Sequence, residues 1–189
     1  RLDFEAGDPV TRRFATDWNT QPPRELWRRP IGLGWSAFAV VGGRAWTQEQ
    51  TGDDERVTCL DAATGRTLWS HAERTRFSEW QGGDGPRATP TIHDGRVYAL
   101  GATGLLLCLE AADGRPVWKR SVLEENGLGN ITWGTSASPL VVDDLVDRHR
   151  PRIQLRARDA EGRDGLERPD HEDPVQQPRP ASGIPLRSR

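Results

Sequence analysis

The hydrophobic positions of this chain fall in short runs, each closed by a glycine or aspartate turn. Ala37 to Val41 lead into Gly42-Gly43, and a second run opens at Ala45. Thr91 and Ile92 lead into the Asp94-Gly95 turn, followed by Val97 to Leu100. Two apolar runs around such a pair predict a β-hairpin, because both central residues must take positive φ. Val57 to Leu60 and Thr67 to Ser70 predict two more strands. The turn between them, Asp61 to Gly65, should have Asp61 accepting backbone amide hydrogens and Gly65 left-handed.

The pattern then repeats. Cys59 to Trp69 reads CLDAATGRTLW and Cys108 to Trp118 reads CLEAADGRPVW, a constant offset of 49 residues. A period of this length points to a propeller or array. Arg44 and Arg96 are 52 apart, so the first unit holds three more residues than the second, expected in the turn containing Asp53. The fold class expected is all-β: a β-propeller of four-stranded antiparallel blades, present as an incomplete arc. Residues 1–34 read as an entry segment, with Leu26-Trp27 ending a strand of an incomplete unit. Residues 35–146 carry the repeats, with blades over about 35–71 and 87–121 and a third starting at 136. Pro116 lies in a fourth strand, which must therefore be an edge.

From Asp147 to Arg189 there are ten arginines, eight acids and six prolines, and no aromatic residue. Such a stretch cannot bury enough apolar area to offset its ordering entropy, which predicts a disordered tail. An out-of-frame translation is the second reading. With suitable codons, skipping one nucleotide gives Ile-Val-Thr at Asp147–Arg150, Thr-Gly-Trp at Asp164–Glu167 and Tyr-Ser-Ser-Pro at Val175–Pro178. The encoding DNA decides between the two.

Composition narrows the function. The net charge of −2 offers no electrostatic footprint for nucleic acid, and no apolar run is long enough for a transmembrane helix. The chain opens on Arg1 and has no methionine, as a segment of a longer reading frame would. Cys59 and Cys108 occupy equivalent positions of successive units, which suits small buried strand residues better than a disulfide.

The doubled motif, the openings Ala88-Thr-Pro90 and Ser136-Ala-Ser-Pro139, and the run DGRVYAL resemble the repeat of the pyrroloquinoline-quinone-type (PQQ-like) β-propellers. That family includes quinoprotein dehydrogenases and the scaffold lipoprotein of outer-membrane barrel assembly. The resemblance implies that Trp69 and Trp118 dock one blade on the next, that Gly65 and Gly114 are the turn glycines, and that Asp61 is the turn acid. Glu110 replaces that acid and should cap its turn less neatly. It also implies an exported or periplasmic location.

Candidate chemistry is sparse. The dehydrogenase reading needs quinone and calcium, yet no adjacent cysteine pair and no calcium-like acid cluster is present. Asp53, Asp54 and Glu55 read as a solvated hairpin tip, and His71 and His93 as surface histidines. Loops Thr75 to Arg87 and Leu123 to Thr135 join the blades and carry Trp80, Arg87 and Trp133. These are the candidate contacts for a protein or small-molecule partner. The leading expectation is a binding or scaffolding module without catalysis or cofactor of its own; the alternative is part of a quinone-dependent alcohol or sugar dehydrogenase.

Overall fold

The computed structural model describes residues 17–142, 145–147 and 154–156. Glycine-permitted turns define its first blade. Strands β1 (Ala39–Val41) and β2 (Arg44–Thr51) meet at Gly42-Gly43, both with positive φ. Strands β3 (Asp54–Asp61) and β4 (Thr67–Glu73) complete an antiparallel sheet in the order β1-β2-β3-β4. A small hairpin, β5 (Ser78–Glu79) and β6 (Gly83–Asp84), stands in the connection to the second blade. That blade comprises β7 (Thr91–His93), β8 (Arg96–Leu100), β9 (Leu105–Glu110) and β10 (Pro116–Ser121), again a simple meander. Pro116 lies on the edge strand, where the register shifts before Trp118. A 3₁₀ turn, Glu124–Asn126, precedes β11 (Leu140–Val142), β12 (Leu145–Asp147) and β13 (Gln154–Arg156), which form a three-stranded sheet in that order. The architecture is all-β: four-stranded antiparallel blades arranged as an incomplete arc.

The core lies between the blades. Side chains alternate across a strand, so each sheet feeds two seams. Val97 and Ala99 of β8 and Leu107 and Leu109 of β9 pack against Trp46, Val57 and Cys59 of blade 1, with Trp69 closing the cluster. Their neighbours Tyr98, Leu100, Leu106 and Cys108 face the other way, against Val122, Leu123 and Val146. Cys59 and Cys108 are fully buried free thiols, and burial pushes both up to about 11. The strand openings are stitched along the arc. Ala37 donates its backbone N–H to Thr89 Oγ1 at 3.0 Å, and Thr89 donates its own to Ser138 Oγ at 3.1 Å.

Three local expectations are corrected. The three extra residues of unit 1 lengthen its strands rather than its turn: β2 and β3 have 8 residues each, against 5 in β8 and 6 in β9, and the turn is only Gly52-Asp53. Glu55 is consequently not at a solvated tip. It is a strand residue, 8% exposed, whose Oε1 accepts the Ala102 backbone N–H of blade 2 at 3.2 Å. Burial raises its carboxyl to about 7, against the opposing effects of the Ala102 bond and the Arg87 charge. His71 likewise has a partner, Glu73, at 3.1 Å. The stretch read as a tail contributes Asp147 to β12 and the whole of β13. Its remainder, including the codon-skip sites at Asp164–Glu167 and Val175–Pro178, lies outside the described residues.

Candidate functional site

Two sets of residues carry the sequence-level candidates, and the structure keeps them apart. The repeat motif lies at the β3–β4 and β9–β10 turns. Asp61 Oδ1 accepts hydrogen bonds from Ala63 N at 3.1 Å, Thr64 N at 2.8 Å and the Thr64 hydroxyl at 2.8 Å. The hydroxyl bond, followed by the backbone bonds, lowers its pKa. The Glu110 carboxylate instead pairs with two arginines, Arg96 and, at 2.9 Å, Arg115. Asp113 Oδ1 instead accepts the Arg115 amide at 3.0 Å.

Gly65 and Gly114 have φ of 69° and 75°. Their second role was not legible in the turn pattern. A Cβ on Gly114 would lie 2.4 Å from Trp69 Cε3, because the indole rests flat on the glycine and donates its N–H to the Ala111 carbonyl at 3.1 Å. Trp27 makes the same arrangement on blade 1: its N–H reaches the Ala62 carbonyl at 2.9 Å, and a Cβ on Gly65 would lie 2.5 Å from its ring. Trp118 is half-buried, with its ring centroid 6.1 Å from that of Tyr98. Among the described residues its indole N–H is buried without an acceptor.

The second set surrounds the β5–β6 hairpin. Trp80, at the tip, is 85% exposed. Glu79 folds back to accept the Gln81 amide at 2.8 Å and the Gly82 amide, which fixes the tip. Arg87 is not displayed to solvent. Its guanidinium donates to the carbonyls of Gly83 at 2.7 Å, Asp84 at 3.2 Å, Gly85 at 3.1 Å and Trp133 at 3.4 Å. It also sits 5.1 Å above the Phe77 ring and pairs with Glu79 at 3.5 Å. With its side chain 8% exposed, Arg87 joins the two inter-blade loops to each other. Trp133 is thereby held beside the hairpin with half its surface exposed.

A third tryptophan joins them. Trp35 donates its indole N–H to the Gly82 carbonyl at 2.7 Å and its backbone N–H to the Pro86 carbonyl at 2.8 Å, and remains mostly exposed. Its signal in the sequence was the same one that marked Trp133: a tryptophan beside glycines just ahead of a blade's first strand. Trp35, Trp80 and Trp133 thus surround one hairpin, anchored through backbone bonds with their rings largely in solvent.

A quinone–calcium centre would need several oxygen donors converging on one point. Among the described residues no group of three or more histidine, cysteine, aspartate or glutamate side chains is arranged to hold a metal ion. Cys59 and Cys108 belong to different blades and are not adjacent in the sequence. The described residues therefore do not fit that centre. No helix among them is long and apolar enough to cross a membrane.

No curated protein matches this chain. Among solved structures, a quinohemoprotein alcohol dehydrogenase of Pseudomonas putida HK5 superposes with a TM-score of 0.48 at 19% identity, over 69% of this chain and 20% of its own. The quinohemoprotein alcohol dehydrogenase of Comamonas testosteroni gives 0.48 at 18% identity, over 69% and 20%. BamB of Moraxella catarrhalis gives 0.42 at 20% identity, over 67% and 49%. The chain spans 20% of the length of these dehydrogenases and 49% of that BamB. Residues 18–176 match the family model described as outer membrane protein assembly factor BamB, and with its doubled turn motif and four-stranded blades the chain belongs to this family of PQQ-like propeller repeats.

Proposed function

We propose that the chain serves as a protein-interaction scaffold, with no catalysis of its own, and that it contacts its partner through the loops bearing Trp35, Trp80 and Trp133. One observation carries this reading: three exposed tryptophans are fixed around a single hairpin whose neighbouring buried cation, Arg87, is taken up in holding the loops. Rigid exposed aromatics supply contact area at low entropic cost, which is why such residues dominate binding hot spots. The family's description makes a component of outer-membrane protein assembly the first partner to try.

The test is co-purification of that assembly machinery with the full-length protein and with its Trp80→Ala/Trp133→Ala double variant. Both side chains are exposed, so the variant should melt like the parent while losing most of the captured partner. Equal capture by the two proteins would sink the contact face. Dye reduction with alcohols or sugars, on adding the quinone and calcium to the full-length protein, would overturn the non-catalytic reading in favour of the dehydrogenase alternative.

A further inference from the structure

Where the dry seam meets Ala102, a polar row crosses blade 1. Gln50, Glu55 and Glu73 pair in register across β2, β3 and β4, so their side chains leave the same face of the sheet. That face is turned to blade 2, as it is for Trp46, Val57 and Cys59 of the same strands. Gln50 is 2% exposed. Its Nε2 donates to the carbonyls of Gly52 at 3.0 Å and Thr75 at 3.2 Å, while its Oε1 is buried with no partner among the described residues. Burial favours the uncharged form of Glu55, and an O–H on its Oε2 needs the acceptor that Gln50 offers. Ionised, Glu55 would face that acceptor on one side and the Glu73 carboxylate on the other.

The surroundings give an anion little help. The cavity beside Glu55, lined among others by Gln48, Arg56 and Glu73, measures about 10 Å³, no more than one water. A charge there cannot be hydrated without parting the blades. Arg87 favours the anion, but its guanidinium is spread over four carbonyls and Glu79. Lys119 and His71 are taken up by Glu73, and Arg56 pairs with Asp54 at 3.1 Å. Blade 2 faces Glu55 with Gly101, Ala102 and Leu105, none of which titrates.

The other side of that blade 2 turn holds the Trp133 loop. A Cβ on Gly101 would run into Glu55 Oε2, so the carboxyl lies flush on the turn while its Oε1 accepts the Ala102 amide. The Gly101 carbonyl, in the same peptide unit as that amide, accepts the Thr135 hydroxyl at 3.0 Å. The Ala102 carbonyl accepts the Thr135 amide at 2.9 Å and Asn130 Nδ2 at 3.0 Å. One turn therefore carries Glu55 on one side and, on the other, residues flanking Trp133.

We propose that Glu55 is a proton-operated latch on the Trp133 loop. Protonated, its Oε2–H bonds Gln50 Oε1 while its Oε1 holds Ala102; ionised, it withdraws toward solvent and frees the turn, so partner binding weakens as the pH rises. The direction follows from burial, which raises the folded-state pKa to about 7 from 4.5. The proton is held at pH 6 and largely gone at pH 8. The partner clause rests on the reading of these loops as the contact surface; the latch does not.

Hydrogen exchange at the Thr135 amide of the full 189-residue chain, corrected for the intrinsic pH dependence, reads the latch. Between pH 6 and 8 the parent should lose roughly tenfold in protection, and Glu55→Gln should lose none. Gln50→Met, which removes the acceptor for the neutral acid, should move the transition down by about 1 pH unit. Protection that stays flat in the parent, or falls equally in Glu55→Gln, overturns the latch. A transition unmoved by Gln50→Met overturns the assigned proton. Offered the outer-membrane assembly machinery, the parent should capture less at pH 8 than at pH 6 and Glu55→Gln the same at both. Capture that depends on Trp80 and Trp133 yet ignores pH overturns the regulation. Capture indifferent to those tryptophans overturns the contact surface, and with it the control of binding, while the exchange result still decides the latch.

Discussion

The two faces of blade 1 come from the same strands and are held in different ways. Toward blade 2 it presents Trp46, Val57, Cys59 and Trp69, a dry apolar surface matched by Val97, Ala99, Leu107 and Leu109. Toward the entry segment it presents Thr47, Glu49, Arg56, Thr58 and Ser70, and the contacts there are hydrogen bonds. Thr58 donates to Glu49 Oε1 at 2.7 Å, Gly32 donates its amide to Glu49 Oε2 at 2.6 Å, and Ser36 Oγ accepts the Gln48 amide at 3.1 Å. In blade 2 the positions matching Thr47, Arg56 and Thr58 are Ala99, Leu105 and Leu107. The repeat thus conserves the sheet and lets each seam choose its chemistry. Apolar area binds neighbours without regard to direction, whereas a hydrogen-bonded face demands a specific partner geometry.

Truncating the tryptophan at each face tests this contrast most strongly. Trp69→Ala should cost about 3 to 5 kcal/mol, since it empties the blade 1–blade 2 seam. Trp27→Ala, which uncovers Gly65 on the polar side, should cost only about 1 to 2 kcal/mol, because only the entry segment is released. Chemical denaturation of both variants checks the ratio, and equal losses would erase the distinction.

At the end of the dry seam, Glu55 introduces a pH dependence. Its folded-state pKa is raised to about 7 from an ordinary 4.5, so the protonated acid is the form that folding favours. The associated stability is fully present below about pH 4.5 and is lost as the pH rises through about 7. The cost at pH 8 should be about 3 kcal/mol. Glu55→Gln should flatten the melting profile across that window. A parent protein with no stability loss between pH 5 and 8 relative to Glu55→Gln would show that the carboxyl is not neutral there.

On the polar face, Thr58→Val removes a donor to the Glu49 carboxylate while keeping the side-chain shape. The expected loss is about 1.5 to 3 kcal/mol, measurable by thermal melting. The smallest effect belongs to the strap across the outer strands, where Lys119 Nζ donates to Glu73 Oε2 at 3.0 Å and His71 bonds the other oxygen. Burial works against the Glu73 anion, but its bonds to Lys119 and His71 leave the pKa lowered. Lys119 is 59% exposed, so Lys119→Ala should cost under about 1 kcal/mol and fade with added salt.

The sequence by itself determined the repeat, the blade content and the turns. A period of 49 residues, Gly42-Gly43 and Asp94-Gly95 at positive φ, and Pro116 on an edge are local properties that the residues impose wherever they stand. The aromatic loops Trp80 and Trp133 were also legible, because a tryptophan among glycines stands out. The role of Arg87 was not: whether a guanidinium faces solvent or four carbonyls depends on where distant loops meet. Glu55 escaped for a related reason. Placing the turn at Gly52-Asp53 moves it into β3, and in a strand a one-residue change of position exchanges solvent for core. Only the tertiary structure could show Trp27 and Trp69 lying on glycines 38 and 45 residues further along the chain. Those contacts are made across the seams on either side of blade 1, and no periodicity within one blade encodes which surface its neighbour will turn toward it.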